Sequence, residues 1–348
     1  MIQRFPENPI LIPSMLKPST EGLTVECTIN PGVFEFEGKT WMIVRVAERP
    51  VPVVGKTAAT LFDAQGAIRI LTFENSDPDL DISDSRAVVY RGVTYLSTLS
   101  HLRLVCSDDG VHFHEPDFPA IVPGVGALET YGIEDCRVAK INGVYYLTFT
   151  EVSEVGVGVG MMSTTDWRHF ERHGMMLPPH NKDCALFEEK VGGKYWCLHR
   201  PSGIGLGGNF IWLASSPDIH HWGNHVCIAR TRAGYWDSGR IGAGASPIKT
   251  DVGWLLLYHG ATESNRYCLG AILLDLNDPT HVIARSDKPI MEPQEKYETC
   301  GFFGEVIFTN GHIRRGDEVT FYYGAADEVI CGARVSVSAV LASLKIVR

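Results

Sequence analysis

The sequence predicts an all-β protein with the architecture of a β-propeller. A strand–turn–strand unit recurs at intervals of roughly 50–60 residues, close to the length of one four-stranded blade. The predicted strands are rich in Val, Ile, Tyr, Trp and Leu, and turn residues separate them. No segment predicts a helix longer than two turns. A β-sandwich and a parallel β-helix are the alternatives, although a β-helix usually has a shorter repeat.

Two kinds of turn define the recurring unit. A Gly-containing turn joins its central strands, and a turn with Ser or Thr, Asp and an aromatic residue closes its outer end. The central turns are Glu37-Gly38, Arg91-Gly92, Asn142-Gly143, Gly192-Gly193, Val252-Gly253 and Arg315-Gly316, and the outer turns span 107–113, 163–170 and 216–222. Six central turns predict five or six blades, and they fit five if strands from both ends of the chain share one blade.

An acidic residue heads the first strand of most units. These opening acids are Glu26, Asp84, Asp135, Asp183 and Glu305. The first strand of a propeller blade lies nearest the axis, so we expect all five to converge on one central pocket. Convergent carboxylates suit sugar chemistry, because they accept hydrogen bonds from hydroxyl groups and one kept protonated can act as a general acid.

The segment 129–138 holds the densest group of candidate functional residues. Glu134 and Asp135 are adjacent, Arg137 follows, and an apolar strand begins after the turn Asn142-Gly143. Aromatic residues elsewhere are candidates for stacking on sugar rings, although most of them are expected in the core. These candidates are Tyr131, Trp236, Tyr258, Phe302, Phe303 and Tyr323.

Composition excludes several classes of function. A formal net charge of −10 argues against nucleic acid and anionic membranes as partners. No apolar run approaches the roughly 18–20 residues that span a bilayer. The first residues lack the apolar region of a signal peptide, which predicts a cytoplasmic protein, or a periplasmic one if a leader was removed. The nine cysteines predict buried, reduced side chains. Without Cys-x-x-Cys or Asp-x-Asp-x-Asp patterns, no metal site is expected.

Several motifs together resemble glycoside hydrolase family 130, the β-mannoside phosphorylases and β-1,2-mannosidases. They extend over nearly the whole chain. The motifs are Asn30-Pro31-Gly32, Val44-Arg45, Gly132-Ile-Glu134-Asp135-x-Arg137, Lys182-Asp183-x-Ala-Leu-Phe187, His199-Arg200-Pro201, the segment Trp236–Gly244 around Arg240, Gly253-Trp254-Leu-Leu-Leu-Tyr258-His259-Gly260 and Tyr322-Tyr323-Gly324-Ala-Ala-Asp327. The resemblance implies a five-bladed propeller, expected here as one catalytic domain over residues 1–348.

The resemblance also implies the chemistry. Asp135 falls on the family's proton donor, so acid-assisted departure of the aglycone with inversion is expected. Asp84, Asp183 and Asp327 are expected to hold mannose hydroxyls. The full set of expected substrate-binding residues is Asn30, Arg45, Asp84, Arg86, Tyr131, Glu134, Arg137, Lys182, Asp183, Arg200, Trp236, Arg240, Tyr258, His259, Phe303 and Asp327.

The nucleophile decides between two enzymatic activities. Arg45, Arg200, Arg240 and His259 fall on motifs that hold phosphate in the phosphorylases, although Arg240 stands where Lys is expected in many of them. Glu263 and Glu305 instead resemble an extra pair of glutamates in the family's hydrolases, and Glu305 stands where phosphorylases usually have Asn.

We therefore expect an inverting, exo-acting β-1,2-mannosidase. Such an enzyme needs a base opposite the acid, whereas a carboxylate beside a phosphate site would repel the anion. In this interpretation Asp135 is the acid, and Glu263 and Glu305 activate water.

Two alternatives remain beside the hydrolase. One is a β-1,2-mannoside phosphorylase that uses inorganic phosphate as co-substrate and releases mannose 1-phosphate. The other is a non-catalytic carbohydrate-binding propeller. The expected partner is a β-1,2-mannoside oligosaccharide, with no cofactor, and a homo-oligomer is compatible with the sequence.

Overall fold

The computed structural model describes residues 2–84, 87–203 and 207–347, and these residues form an all-β structure. Five antiparallel sheets carry the fold, and two small sheets are inserted into the first of them. No helix in these three ranges is both long and apolar enough to cross a membrane. The predicted fold class is confirmed as all-β.

Sheet I contains both the insertion and the longest strands. After β1 (Gln3–Arg4) and a 3₁₀ turn (Pro13–Met15), its strands β2 and β3 form a long hairpin. The bounds are β2 (Leu23–Phe36), β3 (Lys39–Pro50), the inserted β4 (Lys56–Phe62), β5 (Ile68–Glu74), β6 (Leu80–Asp81), β7 (Ala87–Tyr90) and β8 (Val93–Leu96), then β9 (Leu99–Ser107) and β10 (Ile121–Val122). The strand order is β10-β9-β3-β2, and the insertion forms the sheets β4-β5 and β6-β7-β8.

Sheets II and III are simple four-stranded meanders. Sheet II comprises β11 (Ile133–Ile141), β12 (Val144–Ser153), β13 (Gly156–Thr164) and β14 (Glu171–Leu177). Sheet III comprises β15 (Asn181–Leu186), β16 (Tyr195–Pro201), β17 (Ile211–Ser216) and β18 (Gly223–Ala229).

Sheets IV and V complete the series. Sheet IV comprises β19 (Arg240–Ala243), β20 (Ile248–Thr250), β21 (Gly253–Ala261), β22 (Tyr267–Leu274) and β23 (Val282–Arg285), and a helical turn α1 (Lys296–Thr299) follows. Sheet V comprises β24 (Ile307–Arg315), β25 (Glu318–Ala325) and β26 (Val329–Ser336), before α2 (Val337–Ser343) and β27 (Lys345–Ile346). Strand β27 pairs with β23, whereas β1 pairs with β26, so sheet V includes a strand from near the N-terminus.

The five sheets contact one another in a cycle. Strand β2 contacts β11, β11 contacts β15, β15 contacts β19, and β24 contacts β21, β22 and β2. A separate apolar core fills each of the five sheet-to-sheet junctions. Between sheets I and II, for example, the rings of Phe34 and Trp167 stack with centroids 3.5 Å apart. Seven of the nine cysteines are buried, as expected, whereas Cys227 is half-buried and Cys300 is exposed; all nine are free thiols.

The innermost strands of sheets I, II and III share a bulge that positions the site. The antiparallel register shifts between Ile29 and Gly32, between Glu134 and Arg137, and between Lys182 and Ala185. The first extra residue of each bulge is left-handed: φ is 50° at Asn30, 50° at Asp135 and 54° at Asp183. Asn and Asp tolerate this region better than other non-glycine residues. A bulge re-aims a side chain, so the three equivalent positions present polar groups toward a common centre.

Candidate active site

Asp135 lies where the innermost strands of sheets I and II meet. Its Oδ1 accepts hydrogen bonds from Asn30 Nδ2 at 2.9 Å and from Arg45 Nη1 at 3.1 Å. Its side chain keeps 10% exposure, so one edge of the carboxyl group remains accessible. Burial raises the pKa of Asp135, but Arg45, Asn30 and Lys182 outweigh it, and the pKa lies below its ordinary value.

Arg45 joins both carboxylates of the Glu134-Asp135 pair. Its Nη2 donates to Glu134 Oε1 at 2.7 Å, and its Nε donates to the hydroxyl of Ser100 at 3.0 Å. Ser100 in turn lies against Gly132, where an added Cβ would approach the Ser100 carbonyl oxygen to 2.6 Å. Only glycine therefore allows the strand carrying Glu134 and Asp135 to approach sheet I this closely.

Arg137 and Asp183 tie the inner strands of three sheets together. Arg137 donates to Asp183 Oδ1 at 3.2 Å and to the carbonyl oxygens of Ala243 and Gly244, each at 2.8 Å. Asp183 also accepts from Arg200 Nε at 2.6 Å. The side chains of Arg137 and Asp183 are only 2% and 1% exposed. At this burial both side chains hold the strands of the site in position. The role of Asp183 in holding mannose hydroxyls stays a prediction.

His259 packs against the far side of Asp183. Its Nε2 lies 3.2 Å from Asp183 Oδ2, but neither ring nitrogen has an aligned hydrogen-bond partner among the described residues. Burial lowers the pKa of His259 despite the opposing carboxylate, so the ring is neutral near pH 7. Gly242 makes this packing possible, since a Cβ there would lie 2.1 Å from Asp183 Oδ2.

Asp327 supplies a carboxyl group whose pKa is raised, in contrast to that of Asp135. Burial raises its pKa to about 6, and the negative charges of Asp135 and Glu134 add to this increase while Arg45 opposes it. Phe303 lies beside it, since its backbone N–H donates to the carbonyl oxygen of Ala326 at 2.9 Å. The Phe303 side chain is 46% exposed, so it can offer a face to a sugar at the rim.

Arg200 and Arg240 have partners that sequence reasoning missed. Arg200 Nη1 donates to Asn209 Oδ1 at 3.0 Å. Arg240 donates to the Tyr267 hydroxyl at 3.1 Å and to Asn265 Oδ1 at 2.6 Å. These three partners lie in loops or on strands outside the recognised motifs, and no local pattern marks them.

The predicted catalytic glutamates are not part of this network. Glu263 is an exposed residue of the turn between β21 and β22. Glu305 precedes β24 with a side chain 57% exposed, and its Oε1 lies 4.0 Å from Arg266 Nε. Neither is joined to Asp135 by an ion pair or hydrogen bond within the described ranges.

Trp236 and Tyr258 belong to structural packing in sheet IV. Tyr258 is fully buried, and its hydroxyl donates to Asp237 Oδ2 at 2.8 Å. The Trp236 ring covers Gly260 and Gly270, where an added Cβ would approach it to 2.6 and 2.5 Å. Side chains alternate along a strand, so His259 faces the site while Tyr258 faces away. The contacts of Tyr258 and Trp236 are therefore those of the interior of sheet IV.

Of the remaining predicted residues, some are close to the site residues in the chain and others lie away from the central network. Tyr131 precedes the Glu134-Asp135 pair and is part-exposed, and Lys182 precedes Asp183. Glu26 lies 3.9 Å from Arg49, away from the central network, and Asp84 is an exposed residue of the insertion. Arg86 lies outside the described residues.

The five opening acids therefore do not all converge. Asp135 and Asp183 come together through Arg137, but Glu26 and Asp84 lie elsewhere and Glu305 is largely exposed. The equivalent of Asp135 in β2 is Asn30, because the bulge falls there. Across the described ranges, no cluster of three or more His, Cys, Asp or Glu side chains is suited to a metal ion.

Comparison with known proteins identifies the family. The family profile described as β-1,4-mannooligosaccharide phosphorylase, glycoside hydrolase family 130, matches residues 76–346. The chain belongs to glycoside hydrolase family 130. A β-1,2-mannobiose phosphorylase of Listeria innocua serovar 6a is 42% identical over 351 residues, which cover 99% of each protein.

One further relative and one solved structure agree with this assignment. A 1,2-β-oligomannan phosphorylase of a Thermoanaerobacter species is 39% identical over 248 residues, covering 68% of this chain and 78% of the relative. The structure of the Listeria innocua β-1,2-mannobiose phosphorylase in complex with β-1,2-mannobiose superposes with a TM-score of 0.92 over 98% of both chains. The predicted family is confirmed.

Proposed function

We propose that this family 130 protein is an inverting β-1,2-mannoside phosphorylase. This activity is the phosphorylase alternative, and it replaces the mannosidase predicted from the sequence. The observation that carries the proposal is the placement of charge. A connected set of arginines surrounds Asp135 and Asp183, whereas Glu263 and Glu305 lie outside that set and are exposed. The similarity to phosphorylases over nearly the whole chain supports the same choice.

The proposed architecture is one five-bladed propeller over residues 1–348. Sheets I to V are its blades, the five apolar cores fill the gaps between them, and β1 completes the last blade. The cyclic order of contacts supports this arrangement. The bulged inner strands then surround the axis, and the site lies where they converge. The oligomeric state and the cytoplasmic location stay predictions.

Positive charge in the site favours an anionic co-substrate. The arginines and the lysine of the site are Arg45, Arg137, Lys182, Arg200 and Arg240, and its carboxyl groups are Glu134, Asp135, Asp183 and Asp327. With a pKa of about 6, Asp327 carries its charge only partly under mildly acidic conditions. Within this set the cationic groups outnumber the carboxyl groups by five to four, although the whole chain has a net charge of −10. A guanidinium group binds phosphate oxygens through its several N–H donors. Arg200 and Arg240 each keep N–H groups beyond those that bind Asp183, Asn209, Tyr267 and Asn265, so they are the proposed phosphate ligands.

Asp135 is the proposed proton donor to the departing aglycone. In the free protein its pKa is lowered, which favours the carboxylate. Phosphate bound among the same cations would offset their field and raise the pKa of Asp135 toward the protonated form. Phosphate oxygen then attacks C1 of the terminal mannose from the face opposite the leaving group. The C1–O bond to the aglycone breaks, the proton of Asp135 passes to the aglycone oxygen, and inversion gives α-mannose 1-phosphate.

This mechanism requires no base. Phosphate arrives as an anion, so no carboxylate is needed to remove a proton from water. A glutamate beside the phosphate would add like-charge repulsion. The exposed positions of Glu263 and Glu305 are compatible with that requirement. The test is product analysis on β-1,2-mannobiose with and without phosphate, where mannose 1-phosphate should form only with phosphate.

A further inference from the structure

A row of aromatic side chains runs from the chain segment that carries Asp135 across the insertion in sheet I. Tyr131 lies four residues before Asp135, and its ring centroid is 6.2 Å from that of Tyr95. Tyr95 is 5.9 Å from Phe73, and Phe73 is 4.6 Å from Tyr90. The row comprises Tyr131, Tyr95, Phe73 and Tyr90. It therefore connects the head of β11 with the small sheets of the insertion.

The insertion is anchored beside the site. The backbone N–H of Phe62 on β4 donates to the carbonyl oxygen of Thr130 at 2.9 Å, directly before Tyr131. The Phe62 side chain is only 1% exposed, which fixes the hairpin against this segment. The inserted sheets consequently hold their aromatic side chains in a defined position relative to Glu134 and Asp135.

The rings of the row are not the core of the insertion. All four are part-exposed, and none belongs to a buried apolar cluster within the described ranges. The hydroxyl groups of Tyr95 and Tyr131 have no hydrogen-bond partner there, so both can donate to or accept from a ligand. Tyr90 differs, because its hydroxyl donates to Asp77 Oδ2 at 3.1 Å and Arg91 lies 5.0 Å from its ring centroid. Tyr90 therefore supports Phe73 at the far end of the row.

We propose that this row is an extended aglycone subsite that binds the chain of a β-1,2-linked mannose oligosaccharide beyond its second sugar. The proposal rests on the proposed phosphorylase function. Because the acid must reach the glycosidic oxygen, the aglycone lies beside Asp135. Tyr131 stands on the same segment four residues before Asp135, and its ring contacts that of Tyr95. Part-exposed rings stack on the apolar faces of sugars, and free tyrosine hydroxyls bind sugar hydroxyls. The subsite would favour oligosaccharides of three or more mannose units.

The test compares chain lengths in wild type, Tyr95→Ala and Phe73→Ala. The ratio of kcat/KM for β-1,2-mannotetraose to that for β-1,2-mannobiose, each with phosphate, should fall roughly 3- to 10-fold in both variants, the range for loss of one aromatic contact. Thr94→Ala is the matched control, because Thr94 is exposed on the same strand but faces away from Tyr95. It should keep the wild-type ratio. A ratio unchanged in both aromatic variants would overturn the proposal.

Binding without turnover separates this proposal from the proposed function. Calorimetric titration of β-1,2-mannotetraose without phosphate should show weaker binding to Tyr95→Ala than to wild type, with a smaller change for mannobiose. An equal loss for both sugars would indicate a structural role and refute the subsite. Binding that depends on Tyr95 in a protein that forms no mannose 1-phosphate would retain the subsite and reject the phosphorylase.

Discussion

Asn30 donates a hydrogen bond from Nδ2 to Oδ1 of Asp135 at 2.9 Å, and both residues occupy the left-handed first position of a bulge. They lie on the innermost strands of neighbouring sheets. The proposed acid is therefore held by the equivalent residue of the adjacent sheet, and Arg45 fixes the same oxygen from a third strand. This arrangement leaves Asp135 Oδ2 as the oxygen available to the substrate.

Asp135→Asn should abolish most activity without unfolding the protein. Asn keeps the shape and tolerates φ near 50°, but it cannot donate the proton, so the rate on β-1,2-mannobiose should fall roughly 10²–10⁴-fold. An aryl β-mannoside with a good leaving group should lose less, because its departure needs less assistance. Initial rates and a thermal unfolding curve measure these effects. Turnover within a few-fold of wild type on mannobiose would assign the donor elsewhere.

Replacing the two exposed glutamates should change little. Glu263→Gln and Glu305→Gln should each keep phosphorolysis within about 3-fold of wild type, because among the described residues no hydrogen bond or ion pair joins either side chain to Asp135. A general base would instead contribute roughly 10²–10⁴-fold. Steady-state rates at saturating phosphate distinguish these two outcomes. A loss of activity of that larger size in either variant would show that the replaced glutamate activates water.

Arg200→Lys should mainly weaken phosphate binding. Lysine keeps the charge beside Asp183 but loses the planar fork, so the KM for phosphate should rise about 10-fold while the KM for mannobiose changes less. Arg69→Lys, on the exposed surface of the insertion, is the control and should match wild type. Equal increases in both KM values would show that Arg200 positions the whole site rather than the anion.

The sequence predicted the components of the site better than their arrangement. Glu134, Asp135 and Arg137 lie within four consecutive residues, so their position at the head of a strand is readable from one segment. The role of Asn30 in holding Asp135 was not readable from the sequence. A bulge shifts the strand register, and the alternation of apolar residues does not show where the bulge occurs. Ser100, Asn209 and Tyr267 come from distant strands or loops, and only the tertiary structure brings them to the arginines.

Strand parity explains the errors in sheet IV. Tyr258 and His259 are adjacent on β21, so only one of them can face the site. Both residues were predicted to bind substrate. The sequence shows that Tyr258 and His259 point to opposite faces of β21. It does not show which face is turned toward the site, because both faces of β21 are buried.

Glu151→Gln should stabilise the protein above neutral pH. Glu151 is 2% exposed with Oε1 unpaired among the described residues, and burial together with Glu129 raises its pKa from 4.5 to about 7, with Arg172 opposing. Because the folded-state pKa is raised, its contribution to stability is complete below pH 4.5 and is lost as the pH rises through 7. The variant should thus gain up to about 2–3 kcal/mol at pH 8 and little at pH 4.5.

Thermal unfolding at the two pH values checks this prediction. Glu171→Gln, which changes an exposed glutamate of the same sheet, is the control and should follow wild type. A Glu151→Gln variant whose melting temperature falls between pH 4.5 and pH 8 as much as that of wild type would contradict the assignment.

The central claim is that phosphate, and not water, cleaves the mannoside. ³¹P NMR of a reaction on β-1,2-mannobiose with graded inorganic phosphate tests it most directly. We predict that α-mannose 1-phosphate accumulates in step with released mannose, at a rate that rises with phosphate and then saturates. Free mannose as the only product, formed at a rate independent of phosphate, would contradict the account.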